Sequence, residues 1–509
     1  MRKLNDKEIE QLEGRQHCWA EDWSLVSVDD DFEVKNVRNT NFYGHVEIGK
    51  DVRISDVKML KGSGKQARPI VISVLNEGGD GNVMLIPELT AQLAWMMIHY
   101  DGIRELGNQE YKETVRKTVI GDHAVIEGAT KIVDSIICSS EDAPSYVGVD
   151  VIMENSVTAC GATVTDGAKV YESFVGEAVH VGKGFSSEAS LFFANAYMDN
   201  GEACAALCGP FACSHHKSTL LIGGEFSFYN AGSNTNQSNH AYKMGPIHWG
   251  TLQRGAKTAS GCHILWPATI GAFSMVMGKL TQHPDLSNLP FSYVLASQEK
   301  TYIVPGVNIK TVGTWRDINK WPKRDARKEN ARRDIISFDF PNPYIRQFAR
   351  QGLALLSELK ATAGDVDEYF HEGCVITKSA LEKGIDYYRL IIDLCDKDWD
   401  DVEYVDMLGC IARKRDVEEI VKKVEWGEIG SIESLLAAIS ALEHDFPVVS
   451  HDEEAYDRWV ELVKADARKE FDMGDVSEEQ LNDFVRGVKW KTATHLLHKK
   501  MNNEKPTAK

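Results

Sequence analysis

Four histidines, His215, His216, His240 and His248, fall within one polar stretch of the chain between Ala194 and Gly250. Histidine ionises close to neutral pH, so one held in a loop can take a proton from a hydroxyl or an amine as a general base. His240 is the favoured base, with His215 and His248 as the other catalytic candidates, because Asn236, Gln237, Asn239 and Lys243 surround it in the sequence. Amide and ammonium groups of this kind can hold a polar substrate and stabilise an oxyanion. His216 and Lys217 join these four as candidate binding residues. The plainer reading is that the side chains only satisfy loop backbone. Convergence of the four histidines in one cleft would distinguish catalysis from that reading. The same stretch carries a metal alternative, Cys204-x-x-x-Cys208-x-x-x-x-Cys213-x-His215-His216. Its spacing lacks the paired Cys-x-x-Cys of structural zinc sites, and cysteine also serves as a small buried hydrophobe, so no metal is expected.

The elements that must position these residues announce themselves by a six-residue beat. Ile120, Ile126 and Ile132 stand six apart, and Ile152, Thr158, Val164 and Val170 repeat the interval. Small residues recur between them, at Ala124, Ser156, Ala162 and Ala168. Helices repeat at 3.6 residues and strands at 2, so a strict six belongs to neither. A parallel β-helix explains it: each triangular coil has three six-residue faces, the aliphatic residue fills the prism and the small residue fits the corner. Ile48-Gly-Lys-Asp-Val52-Arg-Ile54 reads as an earlier coil.

The hexapeptide pattern resembles the left-handed parallel β-helix superfamily of hexapeptide-repeat transferases. That resemblance implies the left hand of the coil, a homotrimer, and a histidine base for acyl transfer. The acyl donor would be acyl-coenzyme A, used as a co-substrate, and the acceptor a sugar or nucleotide-sugar. The superfamily also includes metal-binding carbonic anhydrases, so a metal-dependent lyase or hydrolase on the same scaffold is a further alternative. A third is a non-enzymatic ligand-binding or assembly protein that keeps the prism without the chemistry. Three segments, Asn236-Gln-Ser-Asn-His240, Gly313-Thr-Trp-Arg-Asp317 and Lys320-Trp-Pro-Lys-Arg-Asp325, look like those of a hexapeptide-repeat family of Bacteroidetes-type bacteria described only as a domain of unknown function.

The expected fold is therefore mainly β: a left-handed parallel β-helix of roughly eight to ten coils, with helical and loop insertions, followed by an α-helical C-terminal domain. The boundaries read as an N-terminal helical segment, 1–28, and the β-helix, 29–313. Within it lie a helical excursion at about 87–117 and an irregular loop region at about 194–250. A basic linker, 314–340, and the helical domain, 341–509, follow. The basic run Lys320 to Arg333 could hold a coenzyme phosphate, since Lys and Arg pair with phosphate oxygens. A solvated face is the simpler reading.

Acidic residues number 76 against 57 basic, for a net charge of −19. Such a chain is a poor general partner for nucleic acid or an anionic membrane, both of which need cations. No secretory signal or membrane-length apolar run is evident. Ten cysteines in 509 residues are few for a disulfide scaffold, so a cytoplasmic setting with reduced thiols is expected.

Overall fold

The computed structural model describes residues 1–67, 69–111, 114–239, 245–297, 299–446, 452–470 and 476–485. Its body is a parallel β-solenoid with three faces. The first face is a thirteen-stranded sheet running from Arg2–Lys3 to Asp285–Leu286, parallel throughout except for its first strand. The second face passes through Val125–Glu127, His180–Gly182, Tyr197–Asp199 and Cys213–Ser214. It then crosses two isolated bridges, Cys213 to Asn230 and Asn230 to Lys257, to reach Lys257–Thr258. The third passes through Lys131–Val133, Lys169–Tyr171 and Asn236–Ser238 to His263–Leu265.

The beat maps onto the interior. Ile120, Ile126, Ile132, Val164 and Val170 are fully buried, and Ala124, Ala162 and Ala168 fill the corners beside them. At the third face Met153, not Ile152, is the inward residue. The step from the third face to the first is one residue shorter than the beat, from Ile132 to Ile137, Met153 to Thr158 and Val170 to Val175. Counting back six from Thr158 therefore lands on Ile152, and a one-residue shift exchanges the two sides of a strand. A serine ladder ties one corner together. Ser135, Ser156, Ser173 and Ser190 each donate Oγ–H to a carbonyl two residues back and accept the backbone N–H of the next coil at 3.1–3.2 Å. The same corner holds Asn155, and another holds Asp150 and Asp166, in left-handed backbone (φ 50, 58 and 51). Asp and Asn tolerate that conformation because their short polar side chains bond locally.

Three boundaries differ from the sequence reading. The solenoid starts before residue 29: Trp19–Ala20 pairs with Asn41–Gly44, and Val26–Val28 with Val46–Ile48. The short helix Asp6–Gly14, capped by Asn5 and Glu8 in a capping box, closes its end. The stretch 194–250 is not an irregular loop but regular coils as far as Ser238. Their inward positions hold Met198, Cys208, Ser214 and Gln237 in place of Ile and Val, so the pattern is hidden rather than absent. This is why the stack exceeds eight to ten coils. The region 341–509 is not purely helical: it contains the hairpins Glu368–His371/Cys374–Thr377 and Tyr404–Met407/Cys410–Arg413, each followed at once by a helix. Their turns place Glu372-Gly373 and Leu408-Gly409 at positive φ, the backbone a two-residue hairpin loop needs.

The excursion after the third coil forms the hairpin Val71–Val74/Gly81–Met84 and the helices Ala91–His99 and Asp101–Glu110. Thr90 caps the first of these helices by accepting the Leu93 N–H. A second apolar core lies between these helices, the outer side of the first face and the C-terminal Cys410–Arg413 region. It gathers Phe174, Leu191, Phe193 and Leu207 with Met96 and Cys410. Hence first-face strands are apolar on both sides, whereas the third face leaves Lys169, Glu188 and Glu202 exposed. Among the described residues no helix is long and apolar enough to cross a membrane.

Candidate functional site

Residues 312–324, which span the expected junction of the β-helix with the basic linker 314–340, fold back across the second face. Helix Val312–Lys320 is capped by Thr311, which accepts the Thr314 N–H, and continues through Trp321 into the short turn Pro322–Arg324. Its apolar side is fixed. Trp315 packs on Trp459 with ring centroids 4.5 Å apart, and Trp321 lies 4.6 Å from Phe228. The Val312 N–H donates to Asp466 at 2.9 Å. The far end is pinned where Asn195 donates to Asp325 and accepts the Ala326 N–H, both at 2.9 Å. An amphipathic helix with two tryptophans on one side buries that side, so the segment is a wall rather than a linker.

Between wall and solenoid lies a cleft of about 770 Å³. Tyr197, Cys213, His215 and Asn230 line it from the second face, and Arg316, Lys320, Lys323 and Arg324 from the opposite side. The second-face residues converge because Tyr197, Cys213 and Asn230 occupy the same register on successive coils. His215 follows two residues after Cys213, on the same side of the strand, while Ser214 between them points into the prism.

The cleft is cationic. Asp317, 2% exposed, is its one lining carboxylate, and it holds three cations: Lys257, Lys320 at 2.5 Å and Arg316 at 3.1 Å. Burial pushes the Asp317 carboxyl up, but Lys257, Lys320 and Arg316 together outweigh it and hold the group below its ordinary 3.8. No carboxylate pairs with exposed Lys323 or Arg324 among the described residues. Across the cleft, the His215 Nδ1 is 3.0 Å from the Cys213 Sγ. Burial, with some help from His216, lowers the His215 pKa, so the imidazole is neutral at pH 7. Burial pushes the Cys213 thiol up to about 11 even though Lys320 and Arg324 oppose it. Next to this pair, buried Asp199 accepts from His180 at 3.1 Å and from Lys183 at 2.7 Å, and His180 stacks on Tyr197 at 4.5 Å.

The residues named from the sequence do not converge. His215 lines the cleft with its side chain partly open to solvent, and His216 and Lys217 are exposed on the corner just beyond it. His248 lies elsewhere, in a segment bound to the excursion through Asn76, which donates to the Ile247 carbonyl at 2.7 Å. Its Nε2 is enclosed with no partner among the described residues. Asn236 is a half-buried third-face residue. Gln237 is fully buried in the prism, donating to the Tyr229 hydroxyl at 3.4 Å beside Thr258. Asn239 is fully buried and donates to Glu77 at 3.2 Å. Both amides donate to groups of the scaffold, and neither lines the cleft. His240 and Lys243 lie outside the described residues. The cysteine series also disperses: Cys208 is inside the prism, Cys204 faces Glu77 on the third face, and Cys213 is on the second. Among the described residues no group of three or more His, Cys, Asp or Glu could hold a metal ion.

Sequence reading missed Tyr197, the Cys213–His215 pair and the opposing Arg316–Arg324 wall as one site. The basic run was visible, but its partner lies about a hundred residues earlier in the chain.

Residues 1–58 and 108–360 match the family model described as a domain of unknown function, DUF4954. No curated protein matches the chain. The match leaves out most of the helical excursion and everything beyond residue 360, yet it takes in every cleft-lining residue except Val463 and Val485. With most of its length and both walls of the cleft inside that match, the chain belongs to the DUF4954 family.

Proposed function

We propose that the protein is an acyltransferase of the hexapeptide-repeat type. It would move an acyl group from acyl-coenzyme A to a hydroxyl or amine on a sugar or nucleotide-sugar, with His215 as general base. The observation that carries this reading is the position of His215: a neutral histidine at the edge of a large cleft whose opposite wall bears four cations against one lining carboxylate. In a chain of net charge −19 such a wall is selective for anions, and Lys and Arg match the phosphates of a coenzyme or a nucleotide-sugar. The volume falls within the range of about 300–1,000 Å³ usual for small-molecule sites. Tyr197, 39% exposed, offers an aromatic edge for a flat group.

The test is calorimetric and kinetic. Coenzyme A should bind the wild-type protein, and the double reversal Lys323→Glu/Arg324→Glu should weaken binding at least tenfold. His215→Asn should retain binding and lose transfer to a sugar acceptor. Absence of binding by coenzyme A and nucleotide-sugars alike would remove the reading.

One observation favours a second reading, a ligand-binding protein without turnover. Two of the amides expected to hold substrate, Gln237 and Asn239, are committed to the scaffold, and His248 is remote. Binding of coenzyme A with no acyl product across hydroxyl and amine acceptors would support that reading instead.

A further inference from the structure

Resting on the acyl-transfer reading, we infer that Cys213 is the residue that first accepts the acyl group, with His215 as its base, so that transfer runs through a thioester on the protein. The geometry is that of a nucleophile and base already in contact. Sγ and Nδ1 are 3.0 Å apart, and both side chains line the same cleft. A thiol and an imidazole two residues apart on one strand side could meet by chance on a mobile loop, but this pair is held. The Cys213 N–H donates to the Tyr229 carbonyl at 2.8 Å, and its own carbonyl accepts from Ala231 at 2.9 Å. The His215 carbonyl accepts from Asn200 at 3.2 Å. No other cysteine is so placed: Cys208 and Cys262 are sealed in the prism, and Cys204 stands against the Glu77 carboxylate, which disfavours a thiolate. Burial keeps Cys213 a thiol at neutral pH, so it needs a base, and the adjacent neutral imidazole supplies one. Lys320 and Arg324 stand near enough to lower the cost of negative charge on sulfur and on the carbonyl oxygen it attacks.

The step balances without any other reactant. The Cys213 Sγ–H gives its proton to the His215 Nδ1 while sulfur adds to the carbonyl carbon of the acyl thioester. The tetrahedral adduct then breaks its bond to the coenzyme sulfur, and the imidazolium returns the proton to the departing thiolate. One thioester is made and one is broken, so the exchange is close to neutral in free energy. The acceptor's hydroxyl or amine next attacks the acyl-Cys213 carbonyl, His215 takes its proton, and that proton ends on Sγ as the Cys213 thiol is released.

The test uses the full-length protein with no acceptor present. It is incubated with acetyl-, succinyl- and palmitoyl-coenzyme A, denatured, digested and mapped by mass spectrometry. Binding of each donor is measured in parallel by calorimetry. The expected result is near-stoichiometric acylation of Cys213 by at least one donor, released by neutral hydroxylamine and absent in Cys213→Ser. His215→Asn should slow label formation by at least a hundredfold. Both variants should melt with the wild type, since Cys213 and His215 lie on the cleft side of their strand rather than in the prism. Binding without a label on Cys213, or transfer at the wild-type rate by Cys213→Ser, would overturn this inference and leave His215 as a base acting directly on the acceptor. No binding of any donor would overturn the acyl-transfer reading and this inference with it.

Discussion

Replacing Asp317 by asparagine tests whether the wall of the cleft is held by its charges. The substitution keeps the shape of the side chain and removes its charge, leaving Lys257, Lys320 and Arg316 around a neutral amide. Removing one partner of a buried ion pair costs about 3–5 kcal/mol, because the remaining charge stays desolvated. The lower end applies here: Lys320 and Arg316 keep 26% and 44% of their side-chain exposure and regain water, whereas Lys257 at 16% regains little. A loss of about 3 kcal/mol corresponds to about a hundredfold in an equilibrium constant. If helix Val312–Lys320 opens as a unit, its amides should exchange with deuterium about a hundred times faster in Asp317→Asn, while the Ile120–Val170 coils keep their protection. The pH dependence has a definite sign. The carboxyl is held below its ordinary 3.8, so its stabilisation is present above about pH 4 and fades as pH falls through the lower folded value. The variant should lack that acid-side loss. Unchanged exchange of 312–320 in Asp317→Asn would mean that Trp315 and Trp321 anchor the wall and the ion cluster does not.

The remaining predictions concern other groups. The rate of acyl transfer should rise with pH to a plateau whose midpoint lies below the ordinary histidine value of 6.5, because burial lowers the His215 pKa and only the neutral ring accepts a proton. Glu177 behaves in the opposite way to Asp317: burial, reinforced by Asp334, raises it to about 8 despite Arg327 at 3.5 Å. Between pH 4.5 and about 8 the folded state then holds a proton that the unfolded chain has lost, so stability should fall as pH rises across that window. Glu177→Gln should flatten the fall and be the more stable protein above pH 8 in denaturant titrations. Arg254, 4% exposed, pairs with Asp406 at 2.8 Å and donates to the Ser337 and Gly409 carbonyls at 3.0 and 2.9 Å. Arg254→Leu should cost about 3–5 kcal/mol by stranding Asp406 and the Ser337 carbonyl, while the Gly409 carbonyl keeps the Ser337 N–H. Limited proteolysis should then cut first near the hairpin Tyr404–Met407/Cys410–Arg413.

The scaffold was legible in the sequence where each coil solves its packing with the same residue type. Ile120, Ile126 and Ile132 are inward because the centre of the prism accepts only apolar volume, and that demand recurs every six residues. It became illegible where a different residue fills the same position. Ser214 and Gln237 are inward too, Gln237 with its amide N–H on Tyr229, and with Leu221 standing alone among them the aliphatic signature of the coils of 194–238 is broken. Gln237 and Asn239 consequently looked like ligands' partners when they are parts of the frame. The paired hairpin–helix units at 368–393 and 404–425 were missed because four-residue strands between charged helices carry too little alternation to stand out.

By itself, then, the sequence determined the repeat, its period and the capped helices, all set by interactions within a few residues or between identical neighbouring coils. Only the tertiary structure decided which residues share a site. A strand presents alternate side chains to opposite sides, so the frame decides whether Cys213 and His215 or Ser214 faces the cleft. The opposite wall arrives from residues 312–324 through Trp315, Trp321 and the Asp317 ion cluster. That docking is a contact between segments about a hundred residues apart, and no local pattern records it.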